Sequence, residues 1–251
     1  MKKLLSLTGI VLLLNCAATA QITVVAAADL QFALTDIAKI FQNETGITVK
    51  TIFGSTGKLA TQIRAGAPFD VFLAANMAYP DTLFNLGLAI ARPKNYSYGI
   101  LVLWSVRGID LHAGLRSLLD TVVQKVALPD PNHAPYGKAA VAALRQAGLY
   151  DSVKAKFIFG DNILQTAQFI STGSVEGGFN SKAIVISPQM AGKGTWVELP
   201  AGSYPPIQQG AVILKYGQDN NPKASGKFFE FIFSDKARDV LSQYGFVLPE
   251  K

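Results

Sequence analysis

"ITVKTIFGSTGKLATQIRAGAPFDVFLAA", Ile47 to Ala75, changes its periodicity twice within one short stretch. "ITVKTIF" is rich in β-branched residues and reads as a strand. "GSTG" (Gly54–Gly57) reads as a loop, and Lys58 to Ala65 reads as a helix with Leu59, Ala60 and Ile63 facing inward. Gly66 and Pro68 stop that helix, and "DVFLAA" is another strand. Strand, helix, strand predicts parallel pairing through a right-handed crossover.

Working outward, the same unit appears on both sides. Upstream, "ITVVAA" reads as a buried strand, followed by Asp29 and a helix with Leu30, Ala33, Leu34, Ile37, Ala38 and Phe41 on one face. Gly46 stands where a left-handed cap is favoured. After Gly99 the pattern restarts with "ILVLWS" and "VALPD". The loop "PNHAPYG" then leads to a helix from about Lys138 to Ala147, closed by Gly148. "KFIFG" is a strand, Asp161 is expected to cap a helix running to about Ser171, and "GGFN" begins the next strand. "GAVILKY" is a late strand, and "ASGKFFEFIFSDKARDVLSQYG" gives two helical segments. With no low-complexity tract and no flexible linker between them, the two α/β units predict two lobes sharing strand crossovers.

The N-terminus combines Lys2-Lys3, an apolar run from Leu4 to Leu14, and small residues at Ala18 and Ala20. That is the pattern of a secretory signal cut after Ala20, too short to span a bilayer stably. A lipid anchor through Cys16 ranks second, because Asn15 stands where a small residue is normally found. Cutting at Ala20 leaves 231 of 251 residues and no cysteine, so stability must come from core burial, which 49% hydrophobic composition supplies. The net charge of +6 falls to +4 without Lys2 and Lys3. The basic residues are scattered without aromatic interleaving, which argues against nucleic acid, while a mild positive balance suits small anions.

In a parallel sheet the loops leaving the strand C-termini share one edge, and the helices they feed point their N-termini there. Asp29 and "GSTG" occupy such positions in the first unit; "HAPYG", "GDNI" and "FNSK" occupy them in the second. Helix N-termini offer unpaired N–H groups and partial positive charge. Ser55 and Thr56 add hydroxyls, and Gly54 and Gly57 admit close backbone approach. Taken alone, Ser, Thr and Gly before a helix are also ordinary capping and turn chemistry. Several donor-rich loops on one edge favour a small anion. A nucleotide P-loop is excluded: Leu59 follows Gly57-Lys58, and Ile52 stands where the motif needs glycine.

A serine hydrolase would use Ser55 or Ser181 with His112 or His133, but the Gly-x-Ser-x-Gly elbow is missing. Two distant histidines give no zinc-type spacing. Ferric binding proteins of similar architecture share an adjacent tyrosine pair, whereas Ser97 separates Tyr96 from Tyr98.

"VVAAADL", "GSTGKLATQIRAGAPFDVFLAA", "LPDPNHAPYGKAA", "GDNILQTAQFI" and "YGFVLPE", in that order, resemble the periplasmic molybdate-binding component of ABC importers. The resemblance implies an α/β, two-lobed periplasmic binding protein of type II. Each lobe would be a mainly parallel sheet flanked by helices, with the ligand in the interlobe cleft. It implies a leader over 1–20, lobe I over 21–98 and 208–251, and lobe II over 99–207. The implied ligand is molybdate or tungstate, held by hydroxyls and N–H groups, with molybdenum or tungsten present only as the bound oxyanion. It also implies no catalysis, no cofactor, a periplasmic monomer and a membrane permease as partner. Carried over by position, the ligand contacts fall on Asp29, Ser55, Thr56, Tyr136, Ile163 (through its N–H) and Ser181. Lys58, Lys182 and His133 are neighbours, the two lysines expected to be solvated and His133 to make a local hydrogen bond. Many members carry Ser or Asn where this chain has Asp29, and a carboxylate beside a dianion is unfavourable. The Asp29 side chain is therefore expected to cap its own helix while its N–H serves the ligand. Phosphate or sulfate is the alternative guest, phosphate because a protonated anion wants an acceptor carboxylate.

Overall fold

The structure, a computed structural model, describes residues 20–250. Cys16 and the expected leader up to residue 19 lie outside the described residues. The chain runs β1 (Gln21–Ala27), α1 (Gln31–Thr45), β2 (Thr48–Gly54), α2 (Thr56–Arg64), β3 (Val71–Ala74), α3 (Ala78–Asn85), β4 (Lys94–Gly99), β5 (Leu101–Ser105) and β6 (Val126–Pro129). It continues with α4 (Pro135–Gln146), α5 (Tyr150–Val153), β7 (Phe157–Gly160), α6 (Ile163–Ser171), β8 (Gly177–Ser181), α7 (Lys182–Val185) and β9 (Thr195–Glu198). It closes with β10 (Ile207–Ile213), α8 (Lys215–Asn220), α9 (Pro222–Ile232) and α10 (Asp235–Gln243). A 3-10 turn, Ala28–Leu30, joins β1 to α1.

Two five-stranded sheets result, ordered β2-β1-β3-β10-β4 and β7-β6-β8-β5-β9. The chain passes from the first to the second between β4 and β5, with Ile100 alone between them, and returns between β9 and β10. The architecture is the expected two-lobed α/β one, but the sheets are mixed and not mainly parallel. β1 pairs in parallel with β2 and β3, and β6 with β7 and β8. β10 is antiparallel to β3 and β4, and β5 to β8 and β9. The reason lies in the crossovers. β5 and β10 each enter their sheet directly from the other lobe, so they run against the strands whose C-terminal ends face that lobe.

Alternation along the first sheet supplies both of its faces. Val24, Ala26, Val71, Leu73 and Ala211 pack with α1, α9 and α10 through Leu34, Ile37, Phe41, Phe228 and Leu241. Val25, Phe72, Ala74 and Val212 pack on the other face with Leu59, Ile63 and Leu83 of α2 and α3. Each buried aliphatic or aromatic side chain contributes roughly 1.5–3 kcal/mol. Gly46 ends α1 with φ 70°, the left-handed cap its position predicts. The core of the second sheet, built on Leu101–Trp104, Val126–Leu128 and Phe179, extends into Ala27, Ala28 and Ala75 of the first lobe. The two lobes thus meet at the C-terminal ends of β1 and β3.

Candidate functional site

The ends of β1, β2 and β3 and the turns after β6 and β7 converge on a small pocket of about 20 Å³ between the lobes. Ala27, Ala28, Asp29, Gly54, Ser55, Thr56 and Ala75 line it from one side; Ala134, Pro135, Tyr136, Asn162 and Ile163 line it from the other. That is smaller than the roughly 300–1,000 Å³ of sites for organic ligands. No lysine, arginine or histidine is among the lining residues. Three helices start at the pocket: α2 at Thr56, α4 at Pro135 and α6 at Ile163. Their first-turn N–H groups and partial positive charge face the space where a guest would sit.

Local sequence explains these donors. Ser55 occupies the N-cap of α2 in an extended conformation, yet its side chain makes no cap bond, and Ser55 Oγ is buried without a partner. Thr56 Oγ1 accepts from Ala75 N–H at 3.1 Å, which anchors the turn to the end of β3 and leaves the hydroxyl proton to donate elsewhere. Asn162 caps α6, its Oδ1 accepting from Leu164 N–H at 2.9 Å and Gln165 N–H at 3.1 Å. That leaves the Ile163 N–H at the pocket as an open first-turn donor. The expected cap, Asp161, instead forms an ion pair with Lys58 of the other lobe. The one-residue difference follows from geometry, since Asn162 is the residue directly before the first helical position.

Asp29 does not cap its own helix. Neither the turn Ala28–Leu30 nor α1 has a side-chain cap. Its Oδ2 accepts from the Tyr136 hydroxyl at 2.9 Å and from Gln209 Nε2 at 2.6 Å, and Gln209 Oε1 accepts from Ser97 Oγ at 2.7 Å. Asp29 is 2% exposed. Asp29 Oδ1 has no hydrogen-bond partner of good geometry, although the N–H groups of Asp29 and Leu30 lie near enough to favour its charge. Burial raises the carboxyl to about 6, against the lowering effect of Gln209, Tyr136 and those N–H groups. Tyr136, buried and facing Asp29, is held well above the ordinary phenol range and stays protonated. With its proton given to Asp29, the Tyr136 hydroxyl is left only as an acceptor, so its N–H is the better donor to an anion. Gly99 makes this arrangement possible: a Cβ there would stand 2.1 Å from the Tyr136 hydroxyl oxygen.

The structure therefore brings Asp29, Ser55, Thr56, Tyr136 and Ile163 together and leaves Ser181 out. Ser181 is buried at the end of β8, where its hydroxyl accepts from Ile184 N–H at 3.3 Å and caps α7. Lys182 turns away to Glu198, with Nζ 2.6 Å from Oε1. It is paired, not simply solvated. Lys58 is half exposed and also paired. His133 Nε2 lies 3.3 Å from Asp130 Oδ2, the expected local contact, and its carbonyl accepts from Gly57 N–H across the cleft at 2.9 Å. Among the described residues no group of three or more His, Cys, Asp or Glu could hold a metal ion.

A family model for bacterial extracellular solute-binding proteins matches residues 22–247. The chain belongs to that family. This solute-binding protein is 37% identical to the molybdate-binding protein ModA of Azotobacter vinelandii over 238 residues, 94% of each chain. It is 33% identical to the protein of the same name from Rhodobacter capsulatus over 232 residues, 92% of this chain and 90% of the other. The solved periplasmic molybdate-binding protein of Azotobacter vinelandii superposes with a TM-score of 0.86 at 30% identity, covering 91% of this chain and all of that one.

Sequence reasoning missed two polar residues of this solute-binding protein: Gln209, which holds Asp29 from behind, and Ser97, which holds Gln209. Both are fully buried, on β10 and β4, next to the strand crossovers between the lobes. The available signal was a polar residue at a buried position directly before the apolar run "GAVIL".

Proposed function

We propose that this protein captures molybdate or tungstate outside the cytoplasm and hands it to the membrane permease of an ABC importer. It is a binding component and not an enzyme. The observation that carries the reading is the pocket itself. It is small, lined from both lobes, and furnished with neutral donors: the Ser55 and Thr56 hydroxyls and the N–H groups of Tyr136 and Ile163. Its likeness to the Azotobacter and Rhodobacter proteins, which are named for molybdate, supports the choice of anion.

Oriented N–H groups and helix N-termini spread positive potential over several oxygens of a dianion without supplying a proton-labile base. Excluding water between the lobes strengthens each of those bonds. Molybdenum is enclosed by its own four oxygens, so the protein touches only oxygen atoms and ligates no metal. In this reading lobe I comprises 21–98 and 208–251, lobe II comprises 99–207, and the protein works as a monomer released by its leader. Phosphate is the second reading, favoured by the partnerless Asp29 Oδ1, which a hydrogen phosphate would satisfy.

Titration calorimetry with molybdate, tungstate, sulfate and phosphate tests the assignment. Tight binding of molybdate and tungstate with weak sulfate and phosphate is expected. Tight phosphate binding alone overturns it.

A further inference from the structure

The described pocket holds one feature that a site for dianions does not need: a buried carboxylate oxygen without a hydrogen bond of good geometry. Asp29 Oδ1 and Ser55 Oγ are both buried without partners, and both residues line the pocket. Oδ2 is saturated by two donors, Tyr136 and Gln209, which fix the carboxyl plane from behind. Apart from the nearby N–H groups of Asp29 and Leu30, which make no hydrogen bond of good geometry to it, Oδ1 faces the pocket for a partner. An ionised carboxylate offers acceptors alone, and so does a fully ionised tetrahedral oxyanion. Two anionic oxygens in a dry pocket repel unless a proton lies between them.

We propose that each oxyanion enters this pocket together with one proton, held between Asp29 Oδ1 and an anion oxygen, which makes Asp29 the residue that sets the pH range of binding. This rests on the oxyanion reading above. The balance is simple: one carboxylate, one proton and one dianion give a complex of net charge −2. The proton forms a covalent O–H bond on one side and a hydrogen bond on the other, and no bond in the anion breaks. The upward displacement of the Asp29 carboxyl by burial places its proton within reach near neutrality.

Nothing packed around Asp29 supplies a competing charge. From α4 it faces Tyr136, from β4 Tyr96, and from β10 the uncharged Gln209; both tyrosines are raised well above the ordinary phenol range by burial and by Asp29 itself. Tyr204 lies beyond Tyr136 and is also raised by burial. α6 carries no charged residue, and Lys182 of α7 is committed to Glu198. On β2 the one charge is Lys50, in register with Thr23 and away from the pocket end of β1. On α1, Asp36 accepts from the Tyr244 hydroxyl, and Lys39 and Glu44 lie further along the helix.

The test is calorimetry of the full mature chain with sodium molybdate at several pH values from 6.5 to 8.5, each in two buffers of different ionisation enthalpy. The expected result is about one proton taken up per molybdate at the upper end, with Kd rising about tenfold per pH unit there. Asp29→Asn keeps an acceptor for Tyr136 and Gln209 and turns an N–H donor toward the pocket. It should abolish both the proton uptake and the slope. Tight wild-type binding with no proton uptake and no slope overturns proton-linked binding and leaves the oxyanion reading intact. A slope that persists unchanged in Asp29→Asn assigns the proton to another group and overturns it as well. No heat with molybdate, tungstate, sulfate or phosphate at any pH overturns both readings together.

Discussion

Ser55 and Thr56 stand side by side at the pocket and differ in what they already hold. Ser55 Oγ has no partner, so Ser55→Ala removes a donor from the guest without breaking a bond in the empty protein. Molybdate binding should weaken by on the order of 1–3 kcal/mol while stability stays within about 0.5 kcal/mol of wild type, read by calorimetry and urea melts. Thr56→Val also strips the Ala75 N–H of its acceptor, so both binding and stability should fall, the latter by about 1–3 kcal/mol. Equal stability loss in the two variants would show that Ser55 is bonded internally. Asp29 gives the opposite sign. Its ordinary value of 3.8 is raised to about 6 in the folded chain. The stabilising contribution of its proton is therefore complete below about 3.8 and disappears as pH rises through about 6, a loss of about 3 kcal/mol. Asp29→Asn should then gain on ligand-free wild type by that order at pH 8 and show no gain at pH 3.5, where an equal gain at both would place the effect outside titration. Five of the six candidate residues meet at the pocket, and each follows a strand or opens a helix, which local sequence shows; Ser181 does so too, and only the fold turns it away. Gln209 and Ser97 were not legible, since Gln209 meets Asp29 across 180 residues and Ser97 meets Gln209 across 112.

At the scale of elements, apolar spacing located the strands and helices that build the pocket, while their ends were set by chemistry that spacing does not carry. α4 begins at Pro135, three residues before the expected start, because proline is at home in the first helical turn, where its missing N–H costs nothing. α2 begins at Thr56 with its first turn inside the "GSTG" loop. Strand direction was the larger omission: nothing within "ILVLWS" or "GAVILKY" says that each crosses from one lobe to the other and so runs antiparallel. The cap of α6 offers a sharp check. Asn162→Ala should cost about 0.5–2 kcal/mol in thermal or urea unfolding, because two first-turn N–H groups lose their acceptor. Asp161→Ala removes only a partly exposed ion pair with Lys58 and should cost no more than about 1 kcal/mol. A reversed order would return the cap to Asp161.

At the scale of the whole molecule, three hydrogen-bonded or ionic contacts cross the cleft beside the pocket: the Tyr136 hydroxyl to Asp29, Gly57 N–H to the His133 carbonyl, and the Lys58–Asp161 pair; the Lys138 ammonium also lies over the Tyr79 ring. Ala27, Ala28 and Ala75 add apolar contact with the second core. Each hydrogen bond is worth about 0.5–1.5 kcal/mol net and a solvated ion pair less, so the three polar contacts together favour the closed arrangement by only a few kcal/mol. A dianion that bonds to both lobes at once favours closure by its differential affinity, and a permease can read that shift. Tyr136→Phe isolates the latch. It deletes the one side-chain bond that joins the lobes inside the pocket and leaves Asp29 Oδ2 with Gln209 alone. The ligand-free variant should raise the open-to-closed ratio by roughly 2- to 13-fold, seen in solution X-ray scattering as a larger radius of gyration than ligand-free wild type. Saturating molybdate should bring the two to the same value, because guest bonds from Ser55, Thr56 and Ile163 survive the substitution. Molybdate at a hundred times Kd should also raise the stability of each by about 2.7 kcal/mol, which makes unequal thermal shifts at matched occupancy a warning of altered folding. If ligand-free variant, ligand-free wild type and both loaded forms scatter alike, the Tyr136–Asp29 bond does not govern closure, and Tyr136 serves only to orient the carboxyl.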